Sequence, residues 1–257
     1  MRISIIQDTI VWADKDANLK KTGEQLVALA GKTDLVVLPE MFTTGFCTDD
    51  LHLAEPTEGD TILKLKFWAN KFAFAIAGSF IASEEGKVYN LSFFVYPDGS
   101  VVSAGKRHLF SMGGEQNHFS AGDKRLIANY CGFNICLLVC YDVRFPVWAR
   151  NVNNEYDLLI YVANFPERRI NDWDILLRAR AIENQAYVCG VNRVGVDGLG
   201  IAYNGHSALL DFNANSLLTF LPENETSIQT AELAPEPLQR YRRKFAVWRD
   251  ADRFELK

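Results

Sequence analysis

Phe133-Asn134-Ile135-Cys136-Leu137-Leu138-Val139-Cys140-Tyr141-Asp142-Val143-Arg144-Phe145-Pro146 runs from an apolar stretch into a cysteine, two charged residues and a proline. Residues 133–139 have the length and apolar content of a buried strand. A reactive group stands where that strand would stop. In α/β folds the crevice beyond the carboxyl ends of the strands is where sites are built, so Cys140 occupies a telling position. Residues 35–38, Leu-Val-Val-Leu, repeat the pattern as a continuous, partly β-branched run of the kind that is buried on both faces. Pro39 ends it and Glu40 follows. A third short apolar run, 101–104, leads to Lys106.

Working outward, further apolar runs at 3–7, 73–81, 88–96, 157–163, 187–192, 204–211 and 227–233 read as strands. The stretches 14–30, 61–72 and 171–186 read as helices. Pro97-Asp98-Gly99-Ser100 is a strong turn signal between 88–96 and 101–104 and makes them a hairpin. Alternating strands and helices with hairpins mixed in predict an α/β sandwich with mixed sheets, not an all-parallel doubly wound sheet. No Pro/Ser/Gly-rich linker divides the chain, so residues 1–257 are expected to form one domain. Residues 237–257 form a distinct tail, with Arg240, Arg242, Arg243 and Lys244 beside Phe245 and Trp248. They read either as a solvated helix or as a surface that packs on a partner subunit, because bulky aromatics near a terminus want covering.

Composition excludes several classes. The 257 residues are 48% hydrophobic and carry a net charge of −5, which argues against disorder and against a broad basic surface for nucleic acid. There is no run of eighteen apolar residues for a membrane span. Met1-Arg2-Ile3-Ser4-Ile5-Ile6 lacks the long apolar stretch of a signal peptide. Five cysteines, an odd count, do not suggest a disulfide scaffold, so a cytoplasmic location is expected. The glycosylation-type triplets at Asn90 and Asn224 then read as chance. No cofactor or metal is expected. Gly105-Lys106 lacks the rest of a phosphate loop, and Gly195-Val196-Asp197-Gly198-Leu199-Gly200 has its glycines in the wrong order for a dinucleotide fingerprint. Cys131, Cys136 and Cys140 lack zinc-knuckle spacing, and His52, His108, His118 and His206 read as surface or hydrogen-bonded residues. The cysteines other than Cys140 read as packing.

Glu40, Lys106 and Cys140 together suggest nucleophilic chemistry. A thiolate attacks a carbonyl carbon, and a nearby ammonium lowers the thiol pKa. The surrounding words sharpen this. Leu38-Pro39-Glu40-Met41-Phe42, Gly105-Lys106-Arg107-His108-Leu109-Phe110 and Val139-Cys140-Tyr141-Asp142-Val143-Arg144-Phe145-Pro146 resemble the three signature segments of the nitrilase superfamily of carbon–nitrogen hydrolases, in family order. Gly114-Glu115 stands where that family carries a second glutamate, and residues 178–188 resemble its late helix and strand. Within the superfamily, the phrases at 106–110, 140–148 and 161–166 look most like the omega-amidases, which hydrolyse the terminal amide of 2-oxoglutaramate and 2-oxosuccinamate.

The resemblance implies a four-layer α-β-β-α sandwich, an amide substrate with water as co-substrate, and a homodimer packed across a helix face near the nucleophile. It implies Cys140 as nucleophile, Glu40 as general base and acid, and Lys106 with the Tyr141 backbone N–H as oxyanion donors. Glu115 would orient Lys106 or steer the amide nitrogen. Arg144 and Asn164 are candidates for substrate binding. Arg144 has a competing and favoured role buttressing Asp142 or Glu183. Alternative readings are another amidase, a carbamoylase or a nitrilase, and a non-enzymatic thiol sensor.

Overall fold

Side chains alternate in facing along residues 35–38, and the alternation shows which layers form. Leu35 and Val37 join a core with Ile135 and Leu137, while Val36 and Leu38 join another with Leu19, Leu26 and Leu65. One strand thus lies between two separate cores, which accounts for its unbroken apolar run.

The computed structural model describes residues 1–218 and 222–255, so the last two residues of the tail lie outside the described residues. In chain order the strands are β1 (Arg2–Gln7), β2 (Leu35–Val37), β3 (Glu55–Pro56), β4 (Ala75–Glu84), β5 (Lys87–Val95), β6 (Val101–Gly105) and β7 (Leu126–Tyr130). The others are β8 (Phe133–Val139), β9 (Leu158–Ala163), β10 (Tyr187–Asn192), β11 (Val194–Val196), β12 (Ala202–Asn204), β13 (Ala208–Leu210) and β14 (Ser227–Glu232). The helices are α1 (Lys15–Leu29), α2 (Asp60–Phe72), α3 (Pro146–Ala149), α4 (Ile170–Asn184) and α5 (Pro235–Lys244). None of them is long and apolar enough to cross a membrane.

One sheet has the order β14-β1-β2-β4-β5-β6, with β3 beside β4; the other has the order β13-β10-β9-β8-β7. Each has a parallel centre, β1-β2-β4 in the first and β10-β9-β8 in the second, and antiparallel edges. The expected mixed sheets are present. The apolar faces of the two sheets meet in one core, α1 and α2 cover the outer face of the first, and α4 packs on β10 of the second. The layers run α-β-β-α.

Local chemistry places the element ends. The Asp14 carboxylate accepts from Ala17 N at 3.0 Å and caps α1. Cys131 and Gly132, both at positive φ, form the tight turn between β7 and β8, and this leaves Cys131 exposed while Cys47, Cys136 and Cys189 are buried. Packing therefore describes three of those four cysteines, not Cys131. The strand expected at 204–211 is also broken in two. Gly205 and His206 both take positive φ, and the Gly205 carbonyl accepts from Asn192 Nδ2 at 2.7 Å, so β12 and β13 separate there. The tail helix α5 is anchored to its own chain. Leu238 is fully buried, and Arg242 pairs with Asp157 at 2.7 Å while donating to the carbonyls of Tyr156 and Gln185. Arg240, Arg243 and Lys244 face solvent, and Phe245 stays 55% exposed.

Candidate active site

The carboxyl ends of β2, β6, β8 and β9 converge at the rim between the sheets. Glu40 follows β2, Lys106 follows β6, Cys140 follows β8 and Asn164 follows β9. Lys106 is held by its own backbone, donating N–H to Asn90 O at 2.9 Å and accepting from Gly122 N at 2.8 Å. Gly122 permits that approach, since a Cβ there would stand 2.1 Å from the Gly105 carbonyl oxygen. Cys140 sits at φ 45° in the left-handed region, at the start of a 3-10 turn over Cys140–Arg144. A non-glycine residue there costs roughly 1–3 kcal/mol, which the surrounding packing must offset.

These placements bring four sequence-predicted residues together. Lys106 Nζ lies 3.0 Å from Glu40 Oε1 and 2.9 Å from Glu115 Oε2, with all three side chains fully buried. Asn90 Nδ2 donates to Glu40 Oε1 at 2.8 Å and to Glu115 Oε1 at 3.2 Å, and Phe110 N donates to Glu115 Oε2 at 2.6 Å. Asn164 fixes the other side of Glu40. Its backbone N–H donates to Oε2 at 2.8 Å and its side-chain amide to the Glu40 carbonyl at 2.8 Å. The Cys140 sulfur is 4.0 Å from the Asn164 carbonyl oxygen, at the floor of a cleft of about 160 Å³.

The electrostatics follow from this crowding. Burial alone lowers the Lys106 pKa, but the Glu115 and Glu40 carboxyls reverse the sign and hold it well above the ordinary lysine value. Lys106 stays an ammonium. Burial pushes the Cys140 thiol well up, Glu40 pushes it further, and Lys106 opposes them without winning. The Lys106 ammonium lowers the Cys140 pKa as expected, but burial and Glu40 outweigh it. A thiol pushed up in this way gives up its proton most readily to a neighbouring base. Glu40 is the carboxylate next to it.

Tyr141 and Arg144 line the same cleft. Arg144 reaches neither Asp142 nor Glu183, which corrects the favoured structural reading. It pairs with Asp172 at 2.7 Å and lies over the Phe165 ring, while Asp142 is engaged by His108 and Glu183 by Arg150 and Arg180. The turn after Cys140 points its fourth residue toward the start of α4, where Asp172 sits. Sequence reading missed Arg169, which lines the cleft, stacks on Phe110 at 5.1 Å and has no carboxylate partner among the described residues. Burial, with Arg168 and Arg144 nearby, lowers its pKa. The signal was a pair of arginines just past the apolar run at 157–163. Asn90 was missed as well, since its triplet reads as chance.

Known proteins carry a similar sequence and shape. The family model for carbon-nitrogen hydrolases matches residues 2–243. The chain is 43% identical to omega-amidase YafV of Escherichia coli strain K12 over 256 residues, covering 100% of this chain and 98% of that one. It is 32% identical to 2-oxoglutaramate amidase of Bacillus subtilis over 213 residues, with 81% and 82% of the two chains covered. A CN-hydrolase superfamily protein of Xanthomonas campestris, solved with an arsenic adduct in its active site, superposes with a TM-score of 0.96 at 38% identity, covering 100% of this chain and 99% of that one. With the family's three segments meeting in one buried cluster and the match running almost end to end, this chain belongs to the carbon–nitrogen hydrolases.

Proposed function

We propose that this chain is an omega-amidase, which hydrolyses the terminal amide of a short 2-oxo dicarboxylic acid monoamide, such as 2-oxoglutaramate, to the acid and ammonia. The observation that carries this reading is the pairing, in one small cleft, of a buried acid–base cluster beside Cys140 with Arg169, a cation that lacks a carboxylate among the described residues. The first suits amide cleavage. The second suits a substrate that ends in a carboxylate, which an arginine fork recognises well. Identity to the omega-amidase and the 2-oxoglutaramate amidase above supports the same substrate class.

In this mechanism Glu40 takes the thiol proton as Cys140 Sγ bonds to the amide carbon. The oxyanion that forms is met by Lys106 and by the Tyr141 backbone N–H. When the intermediate collapses the C–N bond breaks, Glu40 returns the proton to the departing nitrogen, and ammonia leaves a thioester. Glu40 then takes a proton from water, whose oxygen attacks the thioester carbon. The C–S bond breaks, the acid is released, and the sulfur recovers its proton. Glu115 holds Lys106 in place, and Asn164 and Asn90 aim the two oxygens of Glu40. The enzyme would act in the cytoplasm as a homodimer, and the exposed side chains of Val147, just after the nucleophile turn, and of Ile182 and Phe245 support such an interface.

Steady-state ammonia release decides the substrate. The rate on 2-oxoglutaramate is expected to exceed that on N-carbamoyl amino acids and simple nitriles, and Cys140→Ala to abolish it. Arg169→Met is expected to raise KM for the anionic amide by roughly tenfold or more, the scale of a lost charge-assisted hydrogen bond, and to spare neutral amides. A faster rate on one of the other classes would reject the substrate assignment.

A further inference from the structure

The two donors that must meet on the oxyanion come from different sheets. Lys106 follows β6 of the first sheet, and Tyr141 follows β8 of the second. Packed sheets are held by side chains about 10 Å deep, and a misplacement of about 1 Å at a reacting centre costs about 100-fold in rate. Some contact must therefore tie one loop to the other near the site.

His108 and Asp142 make that tie. Asp142 is almost fully buried. Its Oδ1 accepts from His108 N at 3.0 Å and from His108 Nδ1 at 2.7 Å, while its Oδ2 accepts from Val139 N at 3.0 Å. One carboxylate thus grips both the residue before the nucleophile and the residue two beyond Lys106. The partner of Nδ1 is a carboxylate oxygen, which only accepts, so Nδ1 carries the proton. The imidazole is clamped as well, stacked on Phe145 at 3.7 Å and 4° between planes, with Trp148 edge-on at 6.2 Å. Phe145 belongs to the same segment, its N–H donating to the Asp142 carbonyl at 3.0 Å. A histidine that only filled space would need neither the double hydrogen bond nor the parallel stack.

We propose that His108, acting through Asp142, is a positioning residue that sets the separation between the Lys106 ammonium and the Cys140–Tyr141 turn, and so aligns the two halves of the oxyanion site. It touches no reacting atom. The proposal rests on the amidase reading above, and its effect belongs to the transition state and not to substrate affinity.

Two polar variants separate positioning from folding. In His108→Asn the side-chain amide nitrogen falls close to the place of Nδ1, whereas in His108→Gln it reaches toward the place of Nε2. His108→Gln is expected to lower kcat on 2-oxoglutaramate by about 10- to 100-fold with KM nearly unchanged, and His108→Asn to retain most of the wild-type kcat. Iodoacetamide is expected to alkylate Cys140 in both variants as in the wild type, because the thiol and Glu40 are untouched. A wild-type kcat in His108→Gln overturns the proposal, as does a loss confined to KM. Equal losses in both variants together with a lowered melting temperature also overturn it, by making the role structural. A wild-type enzyme that releases no ammonia from any amide overturns the amidase reading itself, and the positioning role with it.

Discussion

Cys140 combines a strained left-handed backbone with a thiol whose pKa is pushed up by burial and by Glu40. The sign matters for reactivity. A thiol whose pKa is raised gains thiolate only as the pH climbs past the ordinary cysteine value of about 8.5. Alkylation of Cys140 by iodoacetamide, followed on its own peptide so that exposed Cys131 does not interfere, is therefore expected to go on accelerating above that pH. A rate already level at pH 7 would show a preformed thiolate and remove the need for Glu40 as base in this step. Glu40, Lys106 and Cys140 were legible in the sequence because each closes an apolar run, where a charged or reactive group is conspicuous. Arg169 and His108 were not. Their importance lies in what faces them, a cleft wall in one case and a carboxylate 34 residues away in the other.

Elements deliver these residues through where they stop. β2, β8 and β9 are buried on both faces and end at a shared rim, so their following residues converge without any need for sequence proximity. Helix α4 closes the outer layer against β10, and the fit is tight at Gly190, where a Cβ would come within 2.5 Å of Leu177 Cδ1 and 2.8 Å of Trp173 Cζ2. Both neighbours are buried, and the indole is rigid. Gly190→Ala should destabilise the protein by about 1–3 kcal/mol through overpacking, seen as a melting temperature lowered by several degrees. An unchanged melting temperature would mean that α4 can lift from β10 freely. Element positions were read well where the apolar period was clear. β7 and the break between β12 and β13 escaped, because they depend on positive-φ turns at Cys131-Gly132 and Gly205-His206 that composition alone does not announce.

At the scale of the molecule, the two sheets share one core that extends to α4, a second core lies between the first sheet and α1 and α2, and the site lies where the strand ends meet. The exposed apolar side chains near the nucleophile turn lead to an expectation for assembly. Sedimentation at micromolar concentration is expected to give a dimer, and Val147→Asp with Ile182→Asp to shift it toward monomer. A wild-type monomer under those conditions would remove the homodimer from the proposal. The tail belongs partly to this question. Arg242 commits α5 to its own chain, which leaves the exposed side chains of Phe245, Val247 and Phe254 to meet a partner.

The sequence by itself pointed to an α/β sandwich with mixed sheets and to the family, and the resemblance implied the four layers. Apolar runs of strand length mark which segments are buried, and the reactive residues after three of them, Glu40, Lys106 and Cys140, mark the rim. It also determined three of the four residues in the buried cluster, with Glu115 drawn from resemblance more than from any local pattern. Only the tertiary structure decided how these groups behave. Desolvation and the mutual fields of Glu40, Lys106 and Glu115 set the direction of each pKa shift, and for the thiol burial and Glu40 outweigh the ammonium. The structure alone also assigned Arg144 to Asp172, left Arg169 without a carboxylate among the described residues, and joined His108 to Asp142. Charge pairing acts over a few ångströms in space, and separation along the chain does not report that distance.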